Sequence, residues 1–186
     1  MDVDDGVRTA LFAPPRVRAE AAGPPGTLLL RSAEPLGAYP VSVVHSVREH
    51  AQLAPGHPMV AERDSGDWRR VSYGQAVAAA GAIGQALLDR GLGPDRPLLI
   101  LSGNSVDHLL MTLGAMTAGI PVAPVSVAYS LQSRDHARIR AIAELIRPGA
   151  VFTEDAADFT PALAALPGIP VIVSRGDYPV AARLPS

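Results

Sequence analysis

Between residues 97 and 173, short continuous apolar runs alternate with stretches of helical period, and this alternation limits the possible folds more than any other feature. Pro97-Leu98-Leu99-Ile100-Leu101 suits a strand covered on both faces, and residues 121–125, 150–153 and 170–173 read the same way. Helices are expected between them. One begins at a cap on Asn104 or Ser105 and runs to about Ala118, closed by Gly119. Another spans about 134–146 before Pro148-Gly149, and a short one about 156–166. Strands separated by helices of this length pair in parallel through right-handed crossovers. The expected fold is therefore α/β, with a layered, mostly parallel sheet and crossover helices.

Upstream, Ser72-Tyr73-Gly74-Gln75 has the spacing of a capping box. The helix it opens carries Tyr73, Ala76, Val77, Ala80, Ile83, Leu87 and Leu88 on one stripe until Gly91. Residues 59–63 and 68–71 read as a small β-hairpin around Asp64-Ser65-Gly66-Asp67. Val43, Val44, Val47, Ala51 and Leu53 fit one side of a helix over 41–54, ended by Pro55-Gly56. Residues 1–38, with Pro14-Pro15, Gly23-Pro24-Pro25-Gly26 and Pro35, lack sustained periodicity. The expected organisation is a flexible leader over 1–38, a partial α/β domain over 39–174 and a tail over 175–186.

Composition closes off several chemistries. The chain has no cysteine, which rules out a disulfide framework, a thiolate zinc site and a thiol nucleophile. All 16 basic residues are arginine, so no lysine is present for a Schiff base or a P-loop phosphate contact. A net charge of −2 gives no reason to expect nucleic acid or an anionic membrane. Asp2, Asp4 and Asp5 oppose a secretory signal, and Gly119, Pro121 and Pro124 interrupt the uncharged run over 109–133, so neither export nor a membrane span is expected. The expected location is cytoplasmic.

Individual candidates for chemistry are weak. Gly103-Asn104-Ser105 resembles a nucleophile elbow in outline, but Asp107 stands where that turn needs a small residue, so Ser105 is expected to cap a helix. Gly114 and Gly119 have P-loop spacing, yet Ile120-Pro121 replace the lysine and the glycines close a helix. His45, Glu49 and His50 are too widely spaced for a zinc helix and read as solvated. Asp107 and His108 lie where open sheets place ligands, but are expected at the surface. Trp68 and Tyr73 are expected to pack the hairpin on a helix, and Arg175-Gly176-Asp177 to form a turn.

Several segments in order resemble the AMP-forming acyl-CoA ligases of the adenylate-forming superfamily. Val71-Ser72-Tyr73-Gly74-Gln75-Ala76 is similar to the first core motif, and Leu98-Leu99-Ile100-Leu101-Ser102-Gly103-Asn104-Ser105 to the strand and turn that follow. Met116-Thr117-Ala118-Gly119-Ile120-Pro121-Val122-Ala123-Pro124-Val125 is similar to the second. Pro124-Val125-Ser126-Val127-Ala128-Tyr129-Ser130 and the stretch 31–40 are most similar to feruloyl-CoA synthases.

The resemblance implies the N-terminal part of an enzyme that joins ATP and a hydroxycinnamate into an acyl-adenylate and passes the acyl group to CoA. In such enzymes a phosphate loop with a lysine, a ribose-binding aspartate and a second lysine lie further along the chain. No catalytic, cofactor or metal residue is therefore assigned here. ATP, magnesium and CoA are implied only for the complete enzyme, with an aromatic carboxylic acid as substrate and a downstream ligase segment as partner. The expectation is a segment inactive alone; the alternatives are a non-catalytic assembly module pairing with a separately encoded remainder, and a small serine hydrolase using Ser105.

Overall fold

In the computed structural model the described residues are 16–176, 178 and 181–183. They fall into two compact units, residues 1–40 and 41–186.

Helix α1 (Val43–Leu53) opens the second unit behind Ser42, whose hydroxyl accepts from His45 N. Strands β1 (Val17–Ala21) and β2 (Leu28–Ser32) belong to the first unit, and in the second β3 (Pro58–Asp64) and β4 (Asp67–Ser72) form the expected antiparallel hairpin. Ser65 and Gly66 take positive φ of 51° and 101° at its turn, the two-residue geometry that matches strand twist. Helix α2 (Tyr73–Asp89) starts on the complete capping box, Ser72 accepting from Gln75 N while the Gln75 side chain accepts from Ser72 N. Gly91, at φ 73°, follows its end.

Strand β5 (Leu98–Ile100), helix α3 (Val106–Thr117), strand β6 (Val122–Pro124), a π-helical turn (Ala128–Gln132), helix α4 (Ala137–Ile146), strand β7 (Ala150–Asp155), helix α5 (Ala156–Ala164), strand β8 (Val171–Arg175) and strand β9 (Ala181–Arg183) complete the unit. The five strands are all parallel, in the order β6-β5-β7-β8-β9. The α/β expectation holds.

Alternation along each strand builds two cores. Leu98, Ile100, Ala150, Phe152 and Ile172 pack with Ile83 and Leu87 of α2 and Leu110 and Met111 of α3. Leu99, Leu101, Val151, Val171 and Val173 pack with Ile139 and Ala143 of α4 and Phe159 and Leu163 of α5. The sheet thus lies between two helical layers, and burying each large side chain contributes about 2 kcal/mol. On the first face α2 and α3 approach so closely that a Cβ at Gly114 would meet Ile83 Cγ2 at 2.5 Å.

Three differences from the sequence reading have physical causes. Residues 121–125, read as a buried strand, form β6 at the edge of the sheet, only partly covered, because an apolar run does not reveal strand order. The connection to α4 winds into the π-turn and places His136 at φ 51° just before α4, which therefore begins later than expected. Strand β9 lies in the stretch read as a tail.

Within the stretch 1–38, expected as a flexible leader, the described residues contain strands β1 (Val17–Ala21) and β2 (Leu28–Ser32), paired antiparallel. Arg16 pairs with Glu34 at 2.9 Å and Arg31 with Glu20 at 3.8 Å. The pairing register puts Val17, Ala19 and Ala21 on one face with Leu28 and Leu30, all of them exposed.

Candidate functional site

The strand order reverses at β5: the chain leaves β5 for β6 on one side and crosses back to β7 on the other. Open α/β sheets place ligands at the carboxyl ends of their strands at such a point. Here those ends carry Ser102, Gly103 and Asn104 after β5, and Glu154 in β7. Ser102, 5% exposed, holds its Oγ 3.0 Å from the Gly103 carbonyl and 3.4 Å from Glu154 Oε2, two acceptors that compete for one proton. Glu154 is also ion-paired with Arg175 at the end of β8. The ends of β5, β7 and β8 are thereby linked through side chains.

Beside them the start of α3 is held by the hairpin. Ser105 is extended (φ −148°, ψ 165°) and its Oγ accepts from His108 N at 3.1 Å, the helix cap expected for it. That backbone lacks the strain of a nucleophile elbow. Glu62 Oε2 accepts from Val106 N at 2.8 Å, so a carboxylate of β3 occupies the anion position at the helix N-terminus. Its other oxygen accepts from Arg69 Nη1 at 3.0 Å, and Arg69 Nη2 donates to Asp107 at 2.6 Å. The hydrogen bond with Asp107 is the main reason the Arg69 guanidinium sits above its ordinary pKa; partial burial opposes it and Glu62 adds to it. Asp107, expected at the surface, is 8% exposed, because the arginine compensates its burial.

Between β3 and α3 opens a crevice of about 430 Å³, walled by residues 60–62, by Ser105, His108, Leu109 and Thr112 on α3, and by Pro124 at the end of β6. His108, expected exposed, is half-buried and lines it, with Nδ1 2.9 Å from the Gly103 carbonyl. The Thr112 hydroxyl is buried without a partner.

Other candidates stand apart from this crevice. His45 and Glu49 form an exposed pair at 3.4 Å. Tyr73 stacks on His50 and His57 at ring separations of 5.3 and 6.4 Å, whereas Trp68 is 45% exposed beneath Arg63. Gly119 closes α3 with φ 71°. Gly176 adopts φ 79°, while Asp177 lies outside the described residues.

A phosphate or a divalent cation does not fit the groups present. Glu62 already fills the helix-start anion position, and among the described residues no three His, Cys, Asp or Glu side chains converge to hold a metal. Nor is any helix among them long and apolar enough to cross a membrane.

Glu62 and Arg69 are the residues that sequence reasoning missed. Their signal was available: the Ser65-Gly66 turn sets Glu62 directly opposite Arg69 in the hairpin register.

Comparison with known proteins gives a match to the family model for AMP-binding enzymes over residues 47–184. No curated protein matches the chain. Among solved structures it is similar to acetoacetyl-CoA synthetase from Streptomyces lividans, with TM-score 0.62 and 13% identity over 76% of this chain and 24% of that one. It is also similar to the fatty acyl-adenylate ligase of L. pneumophila, solved with acyl adenylate and pyrophosphate, with TM-score 0.58 and 20% identity over 71% and 23%. A mutant form of coronafacic acid ligase from Pectobacterium brasiliense gives TM-score 0.58 and 15% identity over 70% and 25%. The aligned region thus spans about a quarter of each of these chains.

Proposed function

The chain belongs to the AMP-binding enzyme family, and on that premise we propose that it is the N-terminal α/β layer of a feruloyl-CoA-synthase-like ligase, inactive by itself. The complete enzyme would activate a hydroxycinnamate with ATP and magnesium and transfer the acyl group to CoA in the cytoplasm, where these cosubstrates are held. The observation that carries the reading is that the family match covers nearly the whole second unit, while the aligned region spans about a quarter of the three solved enzymes compared above. The aromatic acid is supported by the sequence of residues 31–40 and 124–130, which resembles feruloyl-CoA synthases.

Adenylation develops negative charge on phosphate oxygens and needs positioned amides and cations to stabilise it. Two arginines near these strand ends are committed: Arg69 to Glu62 and Asp107, and Arg175 to Glu154. The role supported for this chain is to supply a rigid wall: the linked strand ends, the capped start of α3 and the hairpin clamped to it.

The DNA immediately downstream tests this. A reading frame encoding a Ser/Thr/Gly-rich loop with a lysine is expected there, and its absence would count against the proposal.

A further inference from the structure

We propose that the β3/β4 hairpin takes an extended acidic segment of a protein partner as a third, antiparallel strand along the β4 edge. Side chains alternate between the two faces of this hairpin, and the cross-strand register sorts its charges. On the inner face Glu62 stands opposite Arg69, and both are committed to the start of α3. On the outer face Arg63 stands opposite Trp68 and Ala61 opposite Arg70, all four exposed. Neither Arg63 nor Arg70 is ion-paired with a described acidic side chain. The inner face is thus neutralised, while the outer face keeps two positive charges.

The edge beside that face is open, since β4 pairs with β3 alone among the described residues. The two-residue Ser65-Gly66 turn makes Asp64 and Asp67 a hydrogen-bonded pair, and the ladder makes Glu62 and Arg69 the next. The alternate positions on β4, Trp68 and Arg70, therefore turn their main-chain groups away from β3. Asp67 Oδ1 accepts from Trp68 N at 2.7 Å, which leaves the Trp68 carbonyl and both main-chain groups of Arg70 for a further strand. In an antiparallel addition the peptide residues opposite Trp68 and Arg70 set their side chains on the same outer face. A carboxylate opposite Arg70 meets its guanidinium directly. One opposite Trp68 meets the guanidinium of Arg63, which β3 extends over the indole at 5.4 Å from its centroid. Acidic residues at alternate positions thus complement both the charge and the ladder. A single-stranded nucleic acid fits less well, because Arg63 covers one face of the indole and the net charge of −2 opposes a polyphosphate.

The test titrates the whole chain with acetyl-Glu-Thr-Glu-Thr-Glu-Thr-Glu-amide, its glutamine counterpart, a form N-methylated at each glutamate, and oligothymidylate, followed by amide chemical shifts and hydrogen exchange. Saturable binding of the glutamate peptide is expected, with shifts at residues 67–71 and slowed exchange of the Arg70 amide. The glutamine peptide should bind about tenfold more weakly, as the loss of two exposed ion pairs implies, and the N-methylated form not at all. Arg63→Gln and Arg70→Gln should each weaken the glutamate peptide about threefold and leave the glutamine peptide unchanged, with helix content checked by circular dichroism. Absence of saturable binding, equal affinity for the glutamate and glutamine peptides, or an Arg70 amide that exchanges as fast bound as free would each overturn the proposal without recourse to a variant. Tighter binding of oligothymidylate would overturn it in favour of a single-stranded nucleic acid. None of these readouts involves ligase activity, so this inference and the ligase reading fail separately.

Discussion

Arg69 on β4 donates to Asp107 in the first turn of α3 at 2.6 Å, and this contact clamps the hairpin across the start of the helix. The arginine also holds Glu62, which in turn caps Val106 N, so one guanidinium keeps two carboxylates and a helix N-terminus in register.

Arg69→Met should therefore destabilise the domain by about 2 kcal/mol, between the small value of an exposed pair and the larger cost of stranding buried charge. Asp107→Asn in the same background should recover part of that loss. Urea unfolding of the two variants checks both statements, and equal midpoints for Arg69→Met and the unaltered chain would show that the clamp contributes nothing.

Two glycines of the α2/α3 layer should respond in opposite senses. Alanine at Gly114 must fit a Cβ 2.5 Å from Ile83 Cγ2, and this overpacking outweighs the gain in helix propensity, for a net loss of about 1–2 kcal/mol. Gly81 in α2 is exposed, with nothing within 4 Å of a built Cβ, so Gly81→Ala should raise stability by about 0.5–1 kcal/mol. Thermal unfolding of the pair distinguishes them by sign.

Ser105→Ala removes the α3 cap and should cost about 1 kcal/mol. The unaltered chain should resist labelling by an active-site serine probe, because its Oγ accepts from His108 N at 3.1 Å and no imidazole is bonded to it among the described residues. Stoichiometric labelling at Ser105 would restore the hydrolase alternative.

Asp135 gives a pH signature. The Ala137 amide, and after it the Ser133 hydroxyl, hold this exposed carboxyl below its ordinary value of 3.8. A depressed folded pKa contributes stability that is present above the unfolded value and lost as pH falls through the folded one. Asp135→Asn should therefore be less stable than the unaltered chain at about pH 6, and the difference should shrink below about pH 4. Urea midpoints across that range read it directly, and a constant difference would contradict the assignment.

Local signals were the legible ones. The Ser72/Gln75 capping box, the Ser65-Gly66 turn and the glycine after α2 depend on residues within a few places of one another, and all three have the expected geometry. The strand and helix succession from β5 to β8 was likewise readable from its periods. What escaped depends on pairing at a distance. The apolar face of the β1/β2 hairpin emerges only when Val17, Ala19 and Ala21 are set in register with Leu28 and Leu30. The edge position of β6 follows from strand order, which its apolar run does not encode. The site itself was half visible: Ser105, Asp107 and His108 stood out, but the burial of Asp107 rests on Arg69, 38 residues away, and the helix-start carboxylate on Glu62, 44 residues from Val106.

On the function proposed above, this chain supplies a wall of a ligase and no catalytic centre. Purified chain incubated with ATP, magnesium, ferulate and CoA tests it most directly, with AMP and thioester as readouts. No ferulate-dependent AMP or feruloyl-CoA is predicted; formation of either by the chain alone would contradict the claim.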